Sequence, residues 1–413
     1  MRRRRFLGAT FLGLAGAALP AVGGGGSPEG SVIRTGEPMA VQRDGERIRL
    51  FLCGDVMTGR GIDQILPHPS DPEIHESYLS SAVQYIEVGE RANGPIPRDV
   101  DYTYVWGDAL SRLADAEPDL RIVNLETAVT TSDDYWPGKG IHYRMHPANL
   151  PVLAAAGIDC CTLANNHVLD WGYRGLRETV EVLRKNGIRT AGAGADLDEA
   201  AAPAVLDREG GRRVLVFSLG HTSSGIDESW QAGPGRQGVW WLDELSSASI
   251  DTIGRRVQAA RRPGDTVLAS LHWGGNWGYG ITRRTRDFAH DLLDHAGVDL
   301  VHGHSSHHPL GIEVYRDKLI LYGCGDFIND YEGIRGNERY RDDLRVMYLP
   351  DLDPSTGRLL ALEMVVLQSH RFRLRTASAG DVKWLAEELN RESLKLGNAA
   401  VAVSDSGLSL RWD

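Results

Sequence analysis

Apolar stretches of this chain end, again and again, in a short cluster of residue types that bind metals. The clusters are Gly54-Asp55-Val56-Met57, Asn124-Leu125-Glu126, Asn165-Asn166-His167 with Asp170 close behind, His272-Trp273-Gly274, and His302-Gly303-His304 with His307. The stretch before the first, residues 47–53, sets Ile48, Leu50 and Leu52 at the two-residue period of a strand. Further strands are expected at 120–123, 159–163, 214–219, 266–271, 299–301 and 319–322. Between them the period becomes helical. Residues 172–186 keep Leu176, Val180 and Leu183 on one face, and Gly187 stops the helix. Other helices are expected at 147–156, 246–261 and 285–295. Strand and helix in alternation make a layered α/β domain. In such sheets ligands bind beyond the carboxyl ends of the strands. A chain that sets carboxylate, amide and imidazole at successive strand ends therefore assembles one centre from distant parts of its length.

The 413 residues exceed what a single core usually needs. An insertion at 61–118, broken by Pro67, Pro69, Pro72, Pro95 and Pro97, is expected to carry a helix around 74–91. Late in the chain the pattern turns to β, at 345–349 and 359–367, then to a helix at 382–395 and a small hairpin, 399–403 with 408–412. At the other end, Arg3-Arg4-Arg5-Phe6-Leu7 followed by an Ala/Gly-rich apolar run has the twin-arginine export pattern. The expected division is an export signal (1–23), a linker (24–46), a main domain (47–370) and a C-terminal helix and hairpin (371–413). Such a protein is exported to the periplasm or cell surface; if the signal is not cleaved, the same run anchors it to a membrane. The net charge of −11 argues against a nucleic-acid partner, which wants a basic face. It also makes binding of any polyanion depend on local arginine or metal charge. Cys53, Cys160, Cys161 and Cys324 lie in or beside apolar runs and read as small buried hydrophobes.

The clusters offer O and N donors, the set chosen by hard or borderline divalent ions. Asp55, Glu126, Asn166, His272 and His304 are the expected ligands, with His307 as a further one, for one or two ions among Mn, Zn, Fe and Mg. A carboxylate such as Glu126 can bridge two ions. His167 suits proton donation to a leaving group, and Asp170, three residues on, suits orienting it. Arg60 is expected to meet an anionic substrate group with its bidentate fork. Asn165, Trp273 and Asn276 are placed on the substrate side, although Trp273 also suits plain packing. Asp326 is open between holding a ligand histidine and capping a turn. The insertion 61–118 and the loop 221–241 are expected to wall the cleft, since specificity usually lives on such loops.

In this order, Gly54-Asp55-Val56-Met57, Asn124-Leu125-Glu126, Ala164-Asn165-Asn166-His167, His272-Trp273-Gly274 and Gly303-His304 resemble the bacterial CapA family. These are capsule or poly-γ-glutamate synthesis proteins of the calcineurin-like metallophosphoesterase superfamily. The resemblance spans residues 48–330. It implies a four-layer α/β/β/α sandwich with a divalent metal site; the helix and hairpin of residues 371–413 are expected as a small C-terminal extension beyond it. It implies work on an anionic envelope polymer or a phosphate-containing envelope substrate, beside the capsule-synthesis machinery of the membrane. The function expected is a metal-dependent hydrolase or transferase. The alternatives are a metallophosphatase or nucleotidase, and a polymer-binding scaffold without turnover. Met57 stands where metallophosphoesterases carry a histidine, Glu126 where they carry the bridging aspartate, and Asn276 where many CapA-like chains carry glutamate.

Overall fold

The computed structural model of the protein describes residues 47–208 and 211–413; the expected export signal and linker lie outside the described residues. Six strands have polar ends at the site: β1 (Ile48–Val56), β2 (Leu120–Leu125), β3 (Cys160–Thr162), β4 (Thr266–His272), β5 (Leu300–His304) and β6 (Asp326–Ile328). They belong to two large sheets. The first runs 400–404, 407–411, 359–369, 344–352, β1, β2, β3, 189–191, with β6 added beside β1. Its β1-to-189–191 part is parallel and its other half antiparallel. The second runs 241–242, 213–221, β4, β5, 318–321, 312–315, and its four central strands are parallel.

Side-chain alternation decides the layers. On β1, Ile48, Leu50 and Leu52 face a core shared with the second sheet, while Phe51, Cys53 and Val56 face helices. On the strand Arg213–His221, Val214 and Val216 enter the shared core, and Leu215, Phe217 and Leu219 face outward. The helices Ser247–Ala260 and Arg283–His295 cover that outer face with Ile250, Ile253, Phe288 and Leu292. The helix Gly172–Lys185 and the shorter helices of the insertion cover the first sheet with Leu176, Leu183, Ile86 and Leu113. Three cores thus separate four layers, the α/β/β/α sandwich that the resemblance implies. Strands buried on both faces read as near-continuous apolar runs, which made them visible in the sequence.

The C-terminal hairpin Ala400–Ser404 with Gly407–Arg411 extends the first sheet, the helix Ala379–Ser393 packs against it, and Leu385, Leu389, Leu408 and Leu410 lie in the shared core. The helix expected at 74–91 is shorter, Val83–Asn93. Residues 72–74 instead fold back on 80–82, with Ala82 N donating to Pro72 O at 2.7 Å and Ile74 N to Ser80 O at 3.2 Å. All four cysteines are free and buried. Among the described residues, no helix is long and apolar enough to cross a membrane.

Close approach of two chain segments places the first ligand. At Gly54 a Cβ would stand 1.5 Å from the Gly325 carbonyl oxygen, so only glycine lets the 324–325 segment pass. That passage lets Asp55 N donate to Gly325 O at 2.9 Å and seats Asp326 on β6 as the register partner of Asp55.

Candidate metal centre

Strand register brings the polar ends together. Asp55 pairs with Asn124 across β1 and β2, and His272 with His304 across β4 and β5. Glu126 follows β2, its N–H held by the Val56 carbonyl at 3.1 Å. Asp55, His272 and His304 each offer a ligand atom within 4.8 Å of the others; so do Asp55, His307 and Asp326. Asp55 stands in both groups.

Hydrogen bonds fix these side chains. Asn124 Nδ2 donates to Asp55 Oδ1 at 2.7 Å, and Ser305 N to Asp55 Oδ2 at 3.2 Å. Ser305 does so from a left-handed backbone, φ 93°, a conformation costing a non-glycine residue about 1–3 kcal/mol and typical of functional sites. His272 Nδ1 lies 2.7 Å from His304 Nδ1, and His272 Nε2 lies 2.9 Å from Asn166 Oδ1 and 3.9 Å from Glu126 Oε1. Ser270 Oγ lies 2.8 Å from His304 Nε2 and donates to Thr162 Oγ1 at 3.2 Å, so it ties the imidazole to both sheets. His307 Nδ1 lies 2.8 Å from Asp326 Oδ1, and Asn329 donates to the other oxygen of that carboxylate at 2.6 Å. Asp326 thus holds a histidine rather than capping a turn.

The electrostatics are those of a cation site. Burial, and then Asp326, push Asp55 up to about 7. Burial and the facing Asp55, in hydrogen-bonding contact with it, push Glu126 well above the ordinary glutamate range. Burial and the neighbouring imidazoles press His272 and His304 well below the ordinary histidine value. Burial opposes charge on His307 too, but Asp326 outweighs it and raises that pKa. Carboxylates crowded until they retain protons, facing imidazoles too buried to charge, are relieved together by one divalent cation. The donors therefore fit the divalent metal that their chemistry implies.

The group opens on a cleft of about 230 Å³ lined by Glu126, Asn166, His167, His272, His307 and Lys139 among others. His167 Nδ1 lies 2.6 Å from Asp170 Oδ2, and its Nε2 lies 3.6 Å from Glu126 Oε1. Asp170 also accepts from Tyr143 N at 2.7 Å, so its orienting place beside His167 is fixed. Burial, and then Lys139, hold the His167 pKa well below its usual value. Asn276 lines the cleft, and its carbonyl accepts from His307 N at 2.9 Å.

Three expected substrate contacts lie elsewhere. Arg60 is buried, its Nε and Nη2 donating to Asp330 and its Nη1 to Glu76, because a guanidinium this deep needs carboxylates of its own. Asn165 is a buried clip, donating to Asn124 Oδ1 and Leu125 O and accepting from His167 N. Trp273 is core: its Nε1 donates to Tyr322 O at 2.9 Å and its ring stacks on Tyr322. Among the described residues lining the cleft, none comes from 61–118 or 221–241; the loop at 139–141 provides that wall. Lys139 escaped the sequence reading because it follows no strand. Its one local signal is the glycine on either side, Gly138-Lys139-Gly140.

Residues 49–331 match the profile of the bacterial capsule synthesis protein family PGA_cap. The chain belongs to this family. It is 46% identical over 364 residues, 88% of its length, to a probable polyglutamine synthesis accessory protein of Mycobacterium tuberculosis, covering 96% of that relative. It is 27% identical over 361 residues to the PGA biosynthesis protein CapA of Bacillus subtilis, covering 87% of this chain and 81% of that one. A solved phosphatase structure from Mycoplasma pneumoniae superposes with a TM-score of 0.45 at 11% identity, over 79% of this chain and 96% of that one.

Proposed function

We propose that the protein is an exported, metal-dependent hydrolase or transferase acting on an anionic polymer of the cell envelope, poly-γ-glutamate first among them. The convergence of Asp55, Glu126, Asn166, His272, His304 and His307 at one cleft, with His167 beside them, carries this reading. Family membership supports the polymer as substrate. A bound divalent ion supplies Lewis-acid polarisation of a phosphoryl or acyl oxygen. The protein's own part is positional and protonic. Asp170 holds His167 through Nδ1, which leaves Nε2 facing the cleft. An anion entering the cleft favours the protonated ring, and Nε2 then gives its proton to the leaving group. Export is part of the proposal on the strength of Arg3-Arg4-Arg5-Phe6-Leu7 and the apolar run after it. Replacing Arg3 and Arg4 by lysine should trap precursor in the cytoplasm.

The deciding experiment is metal analysis of the purified protein, then activity on poly-γ-glutamate, nucleotides and simple phosphate esters. The expected result is bound divalent metal, lost on Asp55→Asn or His304→Ala, with turnover of the polymer abolished by His167→Ala while metal stays. Metal lost with His167→Ala would make that histidine a ligand and overturn its role. Met57 supplies no nitrogen donor, and it favours a second reading, a polymer-binding scaffold. Metal and polymer binding without turnover would select it.

A further inference from the structure

On the reading above the substrate is an anion, and Arg60, the obvious cation of the sequence, does not line the cleft. Its donors are taken by Asp330 and Glu76. Among the described residues lining the cleft, Lys139 is the only lysine or arginine. It is delivered by a tight loop whose flanking glycines have open space where a Cβ would stand. The loop is pinned from below, with Trp136 N donating to Asp170 O at 2.8 Å and the Trp136 carbonyl 2.8 Å from His142 Nε2.

The ammonium is only partly used. Its Nζ lies 2.6 Å from Asp170 Oδ1 and donates to the Ile141 carbonyl at 3.0 Å. It also lies 2.9 Å from His167 Nδ1, which is 2.6 Å from Asp170 Oδ2; in the tautomer that sets the Nδ1 proton on Asp170, that nitrogen has no lone pair for the ammonium. In that tautomer the ammonium's protein oxygens are the Ile141 carbonyl, by hydrogen bond, and Asp170 Oδ1, by ion pair. The side chain keeps 17% of its surface exposed, and Lys139 lines the cleft.

We propose that Lys139 is the substrate-binding cation of this cleft, its third N–H receiving an anionic oxygen of the substrate beside His167. The oxygen belongs to a phosphoryl group or to a polymer carboxylate. This deepens the reading above and rests on it for the identity of the cleft. It does not need turnover, because the contact is read by binding.

The test is calorimetric titration of the metal-loaded protein with inorganic phosphate and, separately, with a γ-glutamyl oligomer. Lys139→Met should weaken at least one probe about tenfold or more, equivalent to about 1.4 kcal/mol, with metal content unchanged. The probe that weakens identifies the source of the oxygen. Lys139→Arg should stay within about threefold of wild type. Should Lys139→Met fail to fold, Lys139→Gln, which keeps two N–H donors, takes its place. Asp170→Asn separates substrate contact from mere support of the Asp170–His167 pair. It leaves the ammonium less neutralised, so anion binding should hold or tighten. Anion affinity falling in step in Asp170→Asn and Lys139→Met would overturn the proposal, as would unchanged affinity in Lys139→Met or a wild type that binds neither probe. A wild type that turns nothing over, yet loses its anion with Lys139→Met, would sink the hydrolase reading and leave this contact standing.

Discussion

Arg60→Ala should unfold the protein more easily without touching its substrate affinity. The guanidinium is sandwiched between rings, 3.6 Å from the Tyr85 centroid and 4.4 Å from that of Tyr143. It is the partner of Asp330 and Glu76, and all three side chains are at most 1% exposed. Asp330 keeps one other donor, Gly61 N at 2.9 Å; Glu76 keeps the Tyr85 hydroxyl. Truncation therefore leaves two buried carboxylates without a cation. Breaking a buried pair from one side costs about 3–5 kcal/mol, and the lost ring contacts keep the expected value near the top of that range. Arg60→Lys retains charge but not the fork, so it should fall between the two. Urea unfolding followed by tryptophan fluorescence reads the loss, and metal content and substrate affinity are measured on the same samples. A loss below about 1 kcal/mol, the worth of an exposed pair, together with weakened substrate binding would return Arg60 to the cleft and refute the structural assignment.

Ser270→Ala removes the hydroxyl that orients His304 from behind. Losing such a partner typically costs about 10–100-fold in metal affinity, readable by competition with a chromogenic chelator; unchanged affinity would mean that His304 is held by packing alone. Gly54→Ala drives a methyl group into the Gly325 carbonyl, which should cost at least about 3 kcal/mol and show as a lowered melting temperature with loss of metal; a wild-type melt would contradict the close approach. Burial presses the pKa of His302 to about 4, against about 6.5 in an unfolded chain. The unfolded chain thus takes up a proton below about pH 6.5 that the folded chain refuses until about pH 4. Stability from this group is complete above pH 6.5 and should fall by about 3 kcal/mol as the pH drops to 4. His302→Gln should remove that part of the slope in urea titrations across the window, and an unchanged slope would show that His302 does not titrate with unfolding.

What could be read ahead of the structure was whatever is local. The period of two in residues 47–53 and the ligand that follows it are written within a few residues of each other, so strand, direction and donor were visible together. Parallel register then did the rest, since strands that end together bring their ends together, as His272 and His304 show. Arg60 was misread because its partner Asp330 lies 270 residues away, and no local pattern announces a pairing of that span. Asn165 was misread for a related reason. Its amide could face the cleft or clip two strand ends, and only the packing of β2 beside β3 decides for the clip. Asp326 was left open because β6, three residues long, is too short to show a period.

That short strand also bears on the departure at position 57. Met57 is buried, with its N–H held by Ile328 O at 2.8 Å, so the side chain adds no nitrogen donor beside Asp55. Asp55 forms one group of donors with His272 and His304. Here β6 lies parallel to β1 on the flank away from β2, and its first residue is a carboxylate in register with Asp55. Asp326 and the His307 that it holds thus form the second group around Asp55. Met57 therefore leaves two groups of donors around Asp55, because register with β6 supplies the second.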